Sequence, residues 1–208
     1  MGESFNLSEI ERRPAKYWNV DGLPELMMGL LWIVWGGSWL FGQSLQRGTL
    51  WNVYWMFTPA LLALTGVASV WATKKLKARI TFPRAGYVEW KEPTRGQRLA
   101  TAAVAMIVAS LLAALIIKAR VHSVEQVAPL AFGVLLSLAL VVASLTQRTP
   151  HMLALAGVAL ALGLAFAALN LGWESINWML IGLGIATALS GSIRLGIFLK
   201  RHPLEKPA

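Results

Sequence analysis

The sequence predicts an all-α transmembrane fold: a six-helix bundle with amino and carboxyl termini cytoplasmic and a small cytoplasmic β-hairpin between helices 2 and 3. Three observations carry this expectation. Apolar residues make up 56% of the 208 residues and charged residues only 14%, a balance far from that of a soluble domain. Six runs at 26–46, 48–73, 99–117, 126–147, 149–173 and 175–199 are uncharged except for Arg194 in the last, and each is close to the ~20 residues a membrane-crossing helix needs. With both termini inside, fifteen of the nineteen Lys and Arg face the cytoplasm and only Arg47, Lys118 and Arg120 fall outside, Arg194 lying within a span. The positive-inside rule therefore selects this orientation.

The chain divides into an interfacial segment 1–22, a six-span domain 23–199 with a cytoplasmic loop at 73–98, and a tail 200–208. In the first segment Ser8 and Glu11 fit a capping box, which starts a short helix that Pro14 limits. Tyr17 and Trp18 suit the headgroup layer. Asp21-Gly-Leu-Pro24-Glu25 opens the first span, with Pro in the first turn and carboxylates facing the positive end of the helix dipole.

Spans 1 and 2 carry Trp32, Trp35, Trp39, Trp51, Tyr54 and Trp55, and Trp178 falls at the same outer level. Two readings stand side by side: an interfacial aromatic belt, or a ring-lined pocket for a lipid or organic cation. Trp32 and Trp35 lie deeper than a belt requires. In the second half, small residues recur four apart at Thr101, Ala105, Ala109 and Ala113, at Gly157, Ala161 and Ala165, and at Gly184, Ala188, Ser192 and Gly196. Such stripes are expected to be packing seams, within the bundle or in a homodimer.

The loop 73–98 holds eight of the basic residues. Lys74 to Arg79 reads as a basic helix extension. Residues 80–90 are β-prone on both sides of a Pro-Arg-Ala-Gly turn, which predicts the hairpin. Arg84 in that turn suits a phosphate or carboxylate anchor.

Asp21 and Glu25 are four apart and share a helical face. They are expected either to bind a cation or proton, or to act structurally, Asp21 capping the helix and Glu25 pairing with Arg79 or Arg84. Arg194 is the one charge inside a predicted span. It snorkels to the headgroups or pairs with Glu25 at similar depth.

The motifs Asp21-Gly-Leu-Pro-Glu25 and Phe82-Pro-Arg-Ala-Gly-Tyr-Val88 resemble those of uncharacterised bacterial multi-pass membrane proteins, which carry an Asp-Gly-Leu-x-acid motif before span 1 and an aromatic-Pro-Arg-x-Gly-Tyr-Val motif after span 2. The resemblance covers short stretches in the first ninety residues. It implies a bacterial inner-membrane protein and singles out Asp21, Glu25, Arg84, Gly86 and Tyr87, but implies no activity.

Chemistry is constrained chiefly by what is missing. The chain has no cysteine, which removes disulfides, thiolate nucleophiles and thiolate metal sites. His122, His151 and His202 are expected in an outer loop, an inner turn and the tail, too scattered for a metal site. No His-Glu-x-x-His or phosphate-cradling Gly-Lys-Ser/Thr motif occurs. No catalytic residue, metal or cofactor is therefore assigned. The formal charge of +9 is confined to the gaps between apolar runs, so anionic lipid at the cytoplasmic face is the expected counter-charge rather than nucleic acid. The expected function is non-enzymatic: binding of lipid or a partner membrane protein through the hairpin and bundle. The alternative is a small transporter or channel for an organic cation or amphiphile.

Overall fold

The computed structural model describes residues 20–85, 96, 99, 110, 124–147, 149–169, 171–172 and 174–203. These form helices α1 (Leu23–Ser44), α2 (Thr49–Ile80), α3 (Phe82–Ala85), α4 (Val124–Gln147), α5 (His151–Leu169) and α6 (Glu174–Arg201). All but the four-residue α3 are long and apolar enough to cross a membrane. Five of the six expected spans are thus present. The third, at 99–117, lies outside the described residues apart from the helical positions Leu99 and Ser110, as does nearly all of the segment 1–22.

Two antiparallel helix pairs make the bundle, α1 with α6 and α4 with α5. Each is closed at a glycine contact. A Cβ on Gly29 would lie 2.5 Å from the Gly184 carbonyl oxygen, and one on Gly133 would lie 2.8 Å from the Gly163 Cα. Where lipid competes with side chains for apolar contact, backbone approach of this kind supplies the association. The α5 face expected as a seam is not the one used: Gly157, Ala161 and Ala165 are open, while Ala156, Ala159 and Gly163 are buried. In α6 the close contacts come from Gly184 and Gly191, and Gly196 meets nothing. Small residues occupy several faces of these helices, so four-residue spacing alone does not choose the packed one.

α2 stands against α1 and is the most exposed of the long helices. Its last turn and the start of α6's last turns lie at the same end as Asp21, because Lys77 and Arg194 reach Asp21 and Glu25. We refer to this as the basic end, since Lys74, Lys75, Arg79, Lys200 and Arg201 also lie there.

The expected hairpin is corrected by the structure. Ile80 ends α2, Thr81 keeps a right-handed helical backbone and donates its N–H to the Lys77 carbonyl, and residues 82–85 form α3. No strand occurs among the described residues; the expected second arm, 87–90, is outside them. The physical reason is that Lys77 and Thr81 both contact Asp21. Four residues apart, they are one turn apart on the same face of a helix and can meet one carboxylate oxygen; in a strand they would be about 13 Å apart, too far to share it. Pro83 fits at the second position of α3, where the missing N–H has no intrahelical partner to lose.

Candidate functional site

The start of α1 is set by Asp21 and Gly22. Gly22 takes φ 71°, a left-handed conformation that a side chain disfavours, and Asp21 Oδ1 accepts the N–H of Leu23 at 3.1 Å. The N-cap itself is Gly22, without a side-chain cap, so Asp21 acts from one position before the expected capping site. The other carboxylate oxygen, Oδ2, accepts Lys77 Nζ at 2.5 Å and Thr81 Oγ1 at 2.6 Å. Asp21 and Lys77 are both essentially inaccessible, so the ion pair joins α1 to α2 in a dry setting, with the carboxylate fully hydrogen-bonded.

One turn on, Glu25 points toward α5 and α6. Its Oε1 contacts His151 Nε2 at 2.7 Å and accepts Arg194 Nη1, while Oε2 accepts Ser190 Oγ at 3.3 Å. His151 Nε2 is also 2.5 Å from Arg194 Nη1. Glu25 is 2% exposed, whereas His151 and Arg194 are about one-quarter exposed. The carboxylate is therefore enclosed and its two basic neighbours reach the surface.

The expected residues separate as follows. Glu25 and Arg194 meet, as their common depth suggested. Asp21 lies in the turn before α1, ahead of the left-handed Gly22, so it does not share a helix face with Glu25 as expected, and the two carboxylates serve different neighbours. Arg79 is exposed, and Arg84 donates to the Ile80 carbonyl of its own chain segment at 2.8 Å; neither takes the role of partner to Asp21 or Glu25. Tyr87 and Gly86 are outside the described residues. His151 and Lys77 were missed by sequence reading. His151 follows a Thr-Pro turn at the depth of Glu25 and Arg194, which was an available signal. Lys77 sits in a basic run where nothing distinguishes the one inward lysine from its outward neighbours.

The aromatic residues divide likewise. Trp39 packs edge-on against Trp55 with centroids 5.0 Å apart, Trp51 and Tyr54 meet the same Trp55 ring at 6.2 and 5.6 Å, and Tyr54 is hydrogen-bonded to Ser38. This cluster ties the other ends of α1 and α2 together. Trp178 is on the exposed surface of α6, and Trp32 is half-buried. Trp35 donates to Thr65 Oγ1 at 3.0 Å and lines an open apolar groove of about 580 Å³ with Leu62, Gly66, Val70, Trp71 and Lys74. Lys75, next to the groove, stands 4.5 Å above the Trp71 ring, a cation–π arrangement.

No family model, curated protein or solved structure matches this chain. The functional reading consequently rests on the site itself. No group of three or more His, Cys, Asp or Glu suited to a metal occurs among the described residues. What the arrangement offers is a pair of buried polar clusters that fix α2 and α5 at the basic end, and an open apolar groove along α2 that ends at a lysine.

Proposed function

We propose that this is a multi-pass membrane protein that binds an anionic lipid along α2. The observation that carries the reading is the groove. It runs along one helix from Leu62 to Lys74, which at 1.5 Å per residue is about 18 Å. One leaflet of a ~30 Å hydrocarbon core is about 15 Å deep. The groove is thus one leaflet long, apolar throughout, and closed at one end by a cation. Lys75 and Arg79 add exposed positive charge beyond it, whereas Lys77 is neutralised by Asp21. An acyl chain against Trp35 and Val70 with its phosphate at Lys74 satisfies both halves of the site. The positive-inside rule supports assigning the groove's lysine end to the cytoplasmic leaflet.

Transport through the bundle is less well supported. It needs Glu25 and the deep Trp side chains on one path. Instead, Glu25 faces α5 and α6 while Trp35 bonds to Thr65 of α2.

Gly66 provides the test, because a Cβ there meets nothing within 4 Å among the described residues although the residue lines the groove. Gly66→Phe fills the groove without straining the bundle. Protein reconstituted in phosphatidylglycerol or phosphatidylcholine nanodiscs and extracted mildly is analysed by native mass spectrometry for retained lipid. Retention of phosphatidylglycerol over phosphatidylcholine, lost in Gly66→Phe, is expected. Equal retention of the two lipids, or unchanged retention in Gly66→Phe, refutes the reading.

A further inference from the structure

The contacts of His151 pose a problem of hydrogen-bond chemistry that the lipid groove does not touch. A single ring nitrogen, Nε2, faces a carboxylate oxygen of Glu25 at 2.7 Å and a guanidinium nitrogen of Arg194 at 2.5 Å. The carboxylate accepts only and the guanidinium donates only. With a hydrogen on Nε2 the imidazole donates to Glu25 and meets an Arg194 N–H head-on. Without it, Nε2 accepts from Arg194 and turns its lone pair toward the Glu25 oxygen. The two contacts call for opposite protonation of one atom, and the nitrogen satisfies one of them at a time.

We propose that Glu25, His151 and Arg194 form a proton-binding site at the basic end of the bundle. A proton taken up from water by the quarter-exposed imidazole gives an imidazolium with hydrogens on both ring nitrogens. Nε2 then donates to Glu25 and no longer accepts from Arg194. Two cations now contact the Glu25 carboxylate, and Arg194, itself partly exposed, moves away from the ring toward the headgroup layer. Proton release reverses the exchange.

Among the described residues, the charged groups facing the imidazole are Glu25 from α1 and Arg194 from α6; Ser190 of α6 contributes a neutral hydroxyl to Glu25. The Asp21–Lys77 pair lies one turn away and is balanced. Taken by themselves, the three side chains carry no net charge with His151 neutral and one positive charge with it protonated. The site also has a structural lever, because His151 is the first residue of α5. The side-chain hydrogen bonds described between the α1/α6 pair and the α4/α5 pair converge on it. Proton binding therefore loosens the junction between α5 and α6 at this end.

The chain has no cysteine, so spin labels can be placed without background. Cysteines are introduced at Leu153 of α5 and Ile193 of α6, both exposed, and the distance between labels is measured by pulsed EPR in nanodiscs at pH 8 and pH 5, the interval in which histidine characteristically changes charge. In parallel, the His151 ring nitrogens are followed by NMR in a chain with His122→Gln and His202→Gln. The expected results are a His151 titration within that interval and a shift of roughly 2 Å, the usual scale for helix movement at an interface, with His151→Gln showing no pH response. Absence of the titration, a distance unchanged with pH, or the same response in His151→Gln overturns the proposal. Should His151→Gln fold poorly, Arg194→Met serves instead: the ring still titrates but the distance no longer responds.

Discussion

Asp21 and Lys77, fifty-six positions apart in the chain, lie 2.5 Å from each other with almost no access to solvent. Removing one partner strands a charge in a dry site, which costs about 3–5 kcal/mol. Asp21→Leu and Lys77→Leu should each lower the thermal midpoint in detergent sharply. The double variant should recover much of the loss, since an apolar pair of similar volume replaces the ions. Additive losses in the double variant would show that the two residues do not act as a pair.

The α1/α6 seam depends on backbone contact at Gly29 and Gly184 rather than on small residues in general. Gly29→Leu places side-chain atoms where the Gly184 carbonyl and Ala188 backbone already are, and overpacking by even a few methylenes costs about 1–3 kcal/mol. Gly196 lies on the same helix as Gly184 with nothing within 4 Å. Gly196→Leu should therefore leave the melting temperature unchanged while Gly29→Leu lowers it. A comparable loss in both would mean that the Gly196 face is also packed in the membrane.

These two contacts mark what the sequence makes legible. The long helices were readable because an apolar run of span length has few other destinations, and the meeting of Glu25 with Arg194 was one of the two outcomes their similar depth allowed. The Asp21–Lys77 pair was not readable, since a basic run at the end of a span is already explained by orientation. Nor was the continuation of helix past Ile80. Thr, Phe and Tyr favour strands only weakly, and the bond from Thr81 to Asp21 outweighs that preference. His151 is hidden in the sequence because its relevant neighbours are not the other two histidines but a carboxylate and a guanidinium on other helices.

At the aromatic end, Tyr54 donates to the Ser38 carbonyl and is bonded to the Ser38 hydroxyl at 2.6 Å. Tyr54→Phe keeps the ring contacts with Phe41 and Trp55 and deletes only these bonds. A loss of about 1 kcal/mol is expected, or some 2–4 °C in thermal midpoint for a chain of this size. Lipid retention in the groove should not change, because Tyr54 lies toward the opposite end of α2. Reduced retention in this variant would mean that the two ends of the α1–α2 contact are coupled.

The lipid reading discriminates between two adjacent lysines. Lys74 lines the groove, whereas Lys75 is turned over the Trp71 ring. If positive charge near the membrane acted only through the surface potential, the two would be equivalent, each worth ~1 kcal/mol or about fivefold in anionic-lipid affinity. A phosphate seated at the end of the groove makes them unequal. Lys74→Met should reduce phosphatidylglycerol retention well beyond fivefold, and Lys75→Met by about fivefold at most, with phosphatidylcholine retention low and unaffected in both. Native mass spectrometry of the two variants in parallel measures the difference. Equal losses would leave a diffuse basic surface in place of a lipid site, and would remove the role assigned to the groove's lysine end.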